Sequence, residues 1–215
     1  MTHPSVNTID RIERDRIVAI VRLANYDRAV EVARALLAGG VSVLEFTLTG
    51  RGAVEAVTAV RSALGDAVCV GVGTVLEPDQ VVSAVAGGAE FVVTPVLRVP
   101  VIDACANLEV PCACGALTPT EILAAHEAGA GIVKVFPATV GGPRYIRDVL
   151  APLPFLKLLP TGGINAENAR DYLAAGAVAV GIGGNLISAR AVAAGDFAAI
   201  TAEAAACVTA VREAS

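Results

Sequence analysis

Tryptophan is absent from this 215-residue chain, methionine occurs once, histidine twice, and aromatic residues make up only 4%. Charge is also scarce, at 17% of residues with a net of −5. So few aromatics and so little basic charge exclude a base-stacking platform or a phosphate-backbone footprint, and nucleic acid is not an expected partner. No His/Asp/Glu cluster with ligand spacing occurs, so no metal site is expected. The five cysteines (Cys69, Cys105, Cys112, Cys114, Cys207) are odd in number and scattered, which fits reduced, buried thiols rather than a disulfide framework. Cys112 and Cys114 share one strand face; without a second Cys/His pair they read as core packing rather than zinc ligands. Long apolar runs are missing too. The nearest, residues 172–189, is broken by Gly176, Gly181, Gly183, Gly184 and Asn185, short of the ~20 residues a membrane span needs. The first fifteen residues alternate polar and charged types without an apolar stretch, so the expected location is the cytoplasm.

What is present is alanine-rich and apolar, with a mean hydropathy of +0.66. That excludes disorder. Short Val/Ile runs alternate with Ala/Glu/Arg segments of helical period. The runs at 17–22, 43–47, 68–73, 91–94, 111–115, 132–136, 156–159 and 178–181 are predicted strands. Segments 26–38, 53–64, 78–86, 99–107, 119–128, 144–150 and 166–174 are predicted helices between them, with 6–14 and 197–212 at the two ends. The strands end near Arg22, Glu45, Gly73, Thr94, Gly115, Phe136, Thr161 and Gly181, at intervals of 20 to 28 residues. Eight such units, with strands apolar on both faces, point to an α/β fold: a (β/α)8 TIM barrel forming one domain over residues 1–215. A doubly wound open sheet is the alternative.

In a barrel the chemistry sits at the C-terminal strand ends. Lys134 lies within an otherwise apolar strand, and alternation puts it on the same face as Ile132 and Phe136, away from Val133 and Val135. β-Branched valines suit the helix layer, so Lys134 points into the barrel. Burial disfavours a charged amine, and a neutral amine is a nucleophile that forms imines. The alternatives are a lysine snorkelling to solvent or one paired with a carboxylate. Glu45 is likewise the lone charge of its strand and faces inward with Val43 and Thr47. It is either half of a buried ion pair or a base serving Lys134.

Two glycine-rich turns follow the last strands: Thr161-Gly162-Gly163-Ile164-Asn165 and Gly181-Ile182-Gly183-Gly184-Asn185. Loops after strands seven and eight are the usual phosphate site of such barrels, with backbone N–H groups facing the anion. His126 is expected on a helix surface, His3 in a frayed terminus, and Asp103, Glu109 and Asp148 in solvent.

Taken in order, segments 17–22 (IVAIVR), 44–48 (LEFTL), 71–75 (GVGTV), 91–95 (FVVTP), 118–122 (TPTEI), 134–138 (KVFPA), 160–164 (PTGGI) and 181–185 (GIGGN) resemble the class I 2-keto-3-deoxy-6-phosphogluconate (KDPG) and 4-hydroxy-2-oxoglutarate (KHG) aldolases. The resemblance implies a homotrimer of (β/α)8 barrels working without a metal or other cofactor. It implies cleavage of a phosphorylated keto-deoxy sugar acid to pyruvate and glyceraldehyde 3-phosphate, and of 4-hydroxy-2-oxoglutarate as a side substrate. By the same resemblance Lys134 forms the Schiff base and Glu45 moves protons. Thr74, Pro95, Phe136 and Thr161 wall the pocket, and Arg22 lies near the substrate carboxylate. Gly162, Gly163, Gly183 and Gly184 form the phosphate loops.

Two positions depart from the family pattern. Thr49 stands where many members have a substrate-contacting arginine, with Arg51 two residues on, and Asn185 replaces the usual serine of the last loop. Both are kept as candidate substrate and phosphate contacts, and they leave the sugar-acid configuration open, gluconate or galactonate. The other readings are a phosphate-binding isomerase or synthase without an imine, and a non-catalytic sugar-phosphate-binding barrel.

Overall fold

A computed structural model describes residues 4–213; His3 lies outside them. Helix α1 (Pro4–Asp15) precedes strand β1 (Ile17–Val21). There follow α2 (Ala29–Ala38), β2 (Val43–Thr47), α3 (Ala53–Leu64), β3 (Cys69–Gly73), α4 (Pro78–Ala86) and β4 (Val92–Val93). The second half continues with α5 (Val99–Asn107), β5 (Cys112–Ala116), α6 (Pro119–Glu127), β6 (Ile132–Val135), α7 (Gly142–Leu150), β7 (Leu158–Pro160), α8 (Ala169–Ala174) and β8 (Val180–Ile182). It ends with α9 (Ala189–Ala194) and α10 (Phe197–Arg212).

All eight strands are parallel, in the order β7-β6-β5-β4-β3-β2-β1-β8. This is the nearly closed (β/α)8 barrel, not an open sheet. The seam between β7 and β8 carries no ladder. It is held by a bridge between Thr161 and Gly181 and by the Val178 N–H donating to the Leu158 carbonyl at 3.0 Å. Proline supplies one reason. Leu158 turns its carbonyl towards β8 and Thr161 its N–H towards Val135 of β6. Pro160 therefore faces β8 like Leu158, where it has no N–H to offer.

Period-two alternation divides the strands cleanly. Val18, Val43, Cys69, Phe91, Val93, Ala113, Ile132, Leu159 and Ala179 form the inner cluster, closed from below by Ile12 and Ile9 of α1. Leu44, Phe46, Val70, Val72, Val92, Cys112, Cys114, Val133 and Val135 pack outward against the helices. All five cysteines are free and buried. Helix α1 is pinned as a plug at the N-terminal end. Arg11 donates to Ser42 Oγ at 3.1 Å and to the carbonyls of Asp66 at 2.9 Å and Ala67 at 2.6 Å. Glu13 of the same helix pairs with Lys157, just before β7. Closing that end leaves the other as the only mouth the strands themselves provide.

Local chemistry sets the helix starts. Pro119 opens α6 behind a reciprocal cap, in which Thr118 Oγ1 accepts from the Glu121 N–H and the Glu121 carboxylate accepts from the Thr118 N–H. The short helix α9 is absent from the sequence-based expectation. Ser188 caps it and Gly195 ends it in the left-handed region, but six residues are too few for a visible period. Among the described residues no helix is long and apolar enough to cross a membrane.

Candidate active site

The lumen changes character halfway up. Below it is filled by the inner cluster; above, the inward positions of several strands are glycine. Strand register sets Glu45 beside Gly71 and Ile20, Thr47 beside Gly73, and Lys134 between Gly115 and Leu159. These glycines are occupied space. A Cβ at Gly73 would overlap the Glu45 carboxylate, and one at Gly181 would overlap Thr161 Oγ1. One at Gly71 would lie 2.6 Å from the Phe91 ring, and one at Gly115 2.5 Å from Val96 N. Missing side chains on neighbouring strands thus make room for the Glu45 carboxylate, the Thr161 hydroxyl, the Phe91 ring and the Pro95 turn. Gly73→Ala is expected to keep the fold and displace Glu45, lowering kcat on the order of 10²-fold. Circular dichroism beside steady-state kinetics checks it.

Glu45 is 1% exposed and Lys134 8%, with Nζ and Oε1 3.9 Å apart. That is an ion pair at longer than hydrogen-bond range, and neither Glu45 oxygen has a hydrogen-bond partner. Burial pushes the Glu45 carboxyl above the ordinary carboxylate range, and the Lys134 charge only partly reverses this. A carboxyl so placed holds a proton more readily than an ordinary carboxylate and can hand it on. Lys134 Nζ also lies 5.4 Å from the centre of the Phe136 ring.

The remaining candidates ring the mouth. Thr74 directly follows β3 with φ of 61°, a left-handed conformation that a β-branched residue adopts only under strain. Thr161 is buried, its hydroxyl making only a 3.4 Å bond to the Leu159 carbonyl. Pro95 is half-buried and Phe136 is 37% exposed. Arg22 and Thr49 are exposed at the ends of β1 and β2. Thr49 Oγ1 sits 2.8 Å from Thr47 Oγ1, which lies 3.1 Å from the Tyr26 hydroxyl. The Tyr26 hydroxyl donates to the Thr47 carbonyl at 2.6 Å. So the strand-two end offers neutral hydroxyls. His126, Asp103, Glu109 and Asp148 are exposed, away from this mouth.

Sequence reasoning did not single out Tyr26, Thr47 or Thr94 as supports. Thr94 is fully buried; its hydroxyl donates to the Val96 carbonyl at 2.7 Å and accepts from the Gly115 N–H at 2.9 Å. This braces the Pro95 turn over Gly115. The signal was a threonine closing an apolar strand.

The two glycine loops lie side by side above β7 and β8. Gly162 and Gly163 have φ of 102° and 72°, and a Cβ at Gly163 would also strike the Thr139 methyl. Asn168 Nδ2 donates to the Gly163 carbonyl at 3.1 Å, and its Oδ1 accepts from the Asn165 N–H at 3.0 Å. At Gly184 a Cβ would meet nothing within 4 Å, so that loop is open. Asn185 Nδ2 donates to the Ile164 carbonyl at 2.9 Å.

Known proteins resemble this chain in sequence and fold. Residues 8–203 match the family model described as "Aldolase: KDPG and KHG aldolase". The 2-dehydro-3-deoxy-phosphogluconate aldolase of Treponema pallidum is 37% identical over 198 residues, 92% of this chain and 94% of that protein. The 2-dehydro-3-deoxy-6-phosphogalactonate aldolase of Escherichia coli is 34% identical over 174 residues, 80% of this chain and 85% of that protein. Among solved structures, the KDPG aldolase of Legionella pneumophila, with pyruvate captured as a covalent carbinolamine, superposes with a TM-score of 0.86 at 29% identity. That match covers 93% of this chain and 97% of that one. With the barrel, the inward amine and this similarity along nearly its whole length, the chain belongs to the KDPG and KHG aldolase family and is a carbon–carbon lyase.

Proposed function

We propose that this chain is a Schiff-base aldolase that reversibly cleaves 2-dehydro-3-deoxy-6-phosphogluconate to pyruvate and glyceraldehyde 3-phosphate, with 4-hydroxy-2-oxoglutarate as a side substrate. The observation that carries the reading is the buried Lys134 amine, 3.9 Å from a carboxyl whose burial favours the protonated form. The Lys134 nitrogen attacks the C2 ketone to give a carbinolamine. Glu45 donates the proton that lets hydroxide leave as water, and the iminium forms. Loss of the C4 hydroxyl proton to Glu45 turns that oxygen into a carbonyl. The C3–C4 bond breaks and its electron pair moves into the iminium, giving an enamine. Protonation at C3 and hydrolysis release pyruvate and return the amine. Thr74, Pro95, Phe136 and Thr161 would wall the reacting carbons, and Arg22 and Thr49 would meet the polar end of the substrate. The backbone of Gly162, Gly163, Gly183 and Gly184 would take the phosphate. The galactonate isomer is the second substrate to assay, because an E. coli relative at 34% identity carries that name.

The test is reductive trapping. Borohydride with pyruvate is expected to inactivate the protein and leave one reduced pyruvyl group on Lys134. The chain's only other lysine, Lys157, pairs with Glu13 at the closed end and serves as the internal control. No adduct, or an adduct confined to Lys157, overturns the proposal.

The finer assignments follow from the same reading. The five free buried thiols suit a reducing compartment, the cytoplasm. A homotrimer is what the family resemblance implies, and an apolar patch beside the mouth supports self-association. Leu76, Val96 and Val99 are 39%, 52% and 43% exposed, drawn together where Arg98 Nε donates to the Leu76 carbonyl at 2.8 Å. Light scattering is expected to give three times the chain mass, and a monomer mass overturns the assignment.

A further inference from the structure

We propose that Asn185 is a positioning residue that sets the spacing of the two phosphate loops and thereby the preference for a phosphorylated substrate, an inference that rests on the aldolase reading above. Three observations meet here. First, the donors these loops offer are backbone N–H groups of glycines, and such donors bind an anion well only when held in place beforehand. Second, the loops stand over the barrel's weakest seam. Between β7 and β8 there is no ladder, only the Thr161–Gly181 bridge and the Val178-to-Leu158 hydrogen bond, and Pro160 has no N–H to add. Third, the Asn185 side chain crosses that seam at its C-terminal end. Its Nδ2 donates to the Ile164 carbonyl at 2.9 Å, 21 residues back in sequence.

The β7 loop is already stiffened from its other side by Asn168, which holds the Gly163 carbonyl and the Asn165 N–H. The β8 loop is held within itself by the Leu186 and Ile187 N–H groups donating to the Gly183 carbonyl at 2.8 and 2.9 Å. Each loop is thus internally ordered. Of the side-chain hydrogen bonds these two loops make, the Asn185 bond is the one that fixes one loop relative to the other. Asn185 acts on the phosphate through the backbone it positions.

Serine separates this role from direct ligation. A serine hydroxyl is too short to reach the Ile164 carbonyl, yet it can donate to a phosphate at the loop. If Asn185 acts by bridging the loops, Asn185→Ser and Asn185→Ala lose equally. Both are expected to raise KM for the phosphorylated substrate about tenfold, the worth of one hydrogen bond. In both variants the loss is expected to fall on KM rather than kcat, and to be several-fold larger for the phosphorylated substrate than for 4-hydroxy-2-oxoglutarate, which has no phosphate. Inorganic phosphate binding, measured by titration calorimetry without any turnover, is expected to weaken by the same factor. Retention of wild-type KM and phosphate binding by Asn185→Ser with loss in Asn185→Ala makes Asn185 a direct ligand and overturns the proposal. Unchanged phosphate binding in both variants overturns it as well, as does a wild-type chain that binds no phosphate. Trapping on Lys134 with pyruvate is run on the same proteins. A variant that traps normally but shows no phosphate effect refutes the Asn185 role alone, whereas failure of wild-type trapping refutes the aldolase reading.

Discussion

Lys134→Met is expected to lower kcat on the order of 10⁴-fold or more and to leave nothing for borohydride to trap. The variant should still fold. Methionine matches the aliphatic stem of lysine and joins the apolar neighbours Ile132 and Leu159 on the inner face. What changes is the company of Glu45. Without the Lys134 charge, the force that lowers the Glu45 pKa is gone and desolvation acts alone, so the carboxyl holds its proton to higher pH. The folded state then binds a proton that the unfolded state releases above its ordinary value near 4.5. Stability therefore falls as pH rises from that value towards the raised folded one. A thermal melt series from pH 4 upward should show Lys134→Met losing stability over a wider pH span than wild type. Residual activity within tenfold of wild type would remove Lys134 from the chemistry.

Glu45→Gln has the second largest expected effect, a loss of about 10²- to 10⁴-fold in kcat, the usual worth of a positioned proton carrier. Its signature separates it from Lys134→Met. The amine is still present, so pyruvate should still be trapped, only more slowly. The wild-type pH–rate profile should carry a limb above the ordinary carboxylate range, because burial raises Glu45. That limb should vanish in Glu45→Gln. The melt series should also flatten, since the group whose folded and unfolded affinities for protons differ has been removed. A limb that persists in the variant would assign the titration to another group.

Much of this was legible from residues alone, for definite reasons. Lys134 and Glu45 are lone charges in apolar strands, and alternation fixed their side of the sheet; the inner and outer clusters divide along that line. The glycine turns after the last two strands were visible because glycine clusters mark turns. Other features depend on contacts that no local pattern encodes. Helix α9 is too short to show a period. The Tyr26–Thr47–Thr49 hydroxyls meet because β1 and β2 are neighbours, which a period of βα units suggests but does not detail. The strained φ of Thr74 has no sequence signal at all, since threonine is a poor choice for it. The reach of Asn185 to Ile164 needs the closed barrel, where the last strand returns to its neighbours.

The pairing of Lys157 with Glu13 at the closed end has a consequence for chemical durability. A lyase that releases aldehydes works among electrophiles that condense with surface amines. This chain carries 16 basic residues, yet only Lys134 and Lys157 are lysines; the rest are arginines, whose guanidinium stays protonated and forms no simple imine. Lys157 is 45% exposed, held by a carboxylate, and remote from the mouth where aldehyde emerges. Apart from the chain terminus, the amine best placed to meet that product is Lys134, the one proposed to cycle through imines during turnover. The surface is thereby nearly inert to the reaction it surrounds, and an enzyme aged in its own product should keep its charge and its solubility.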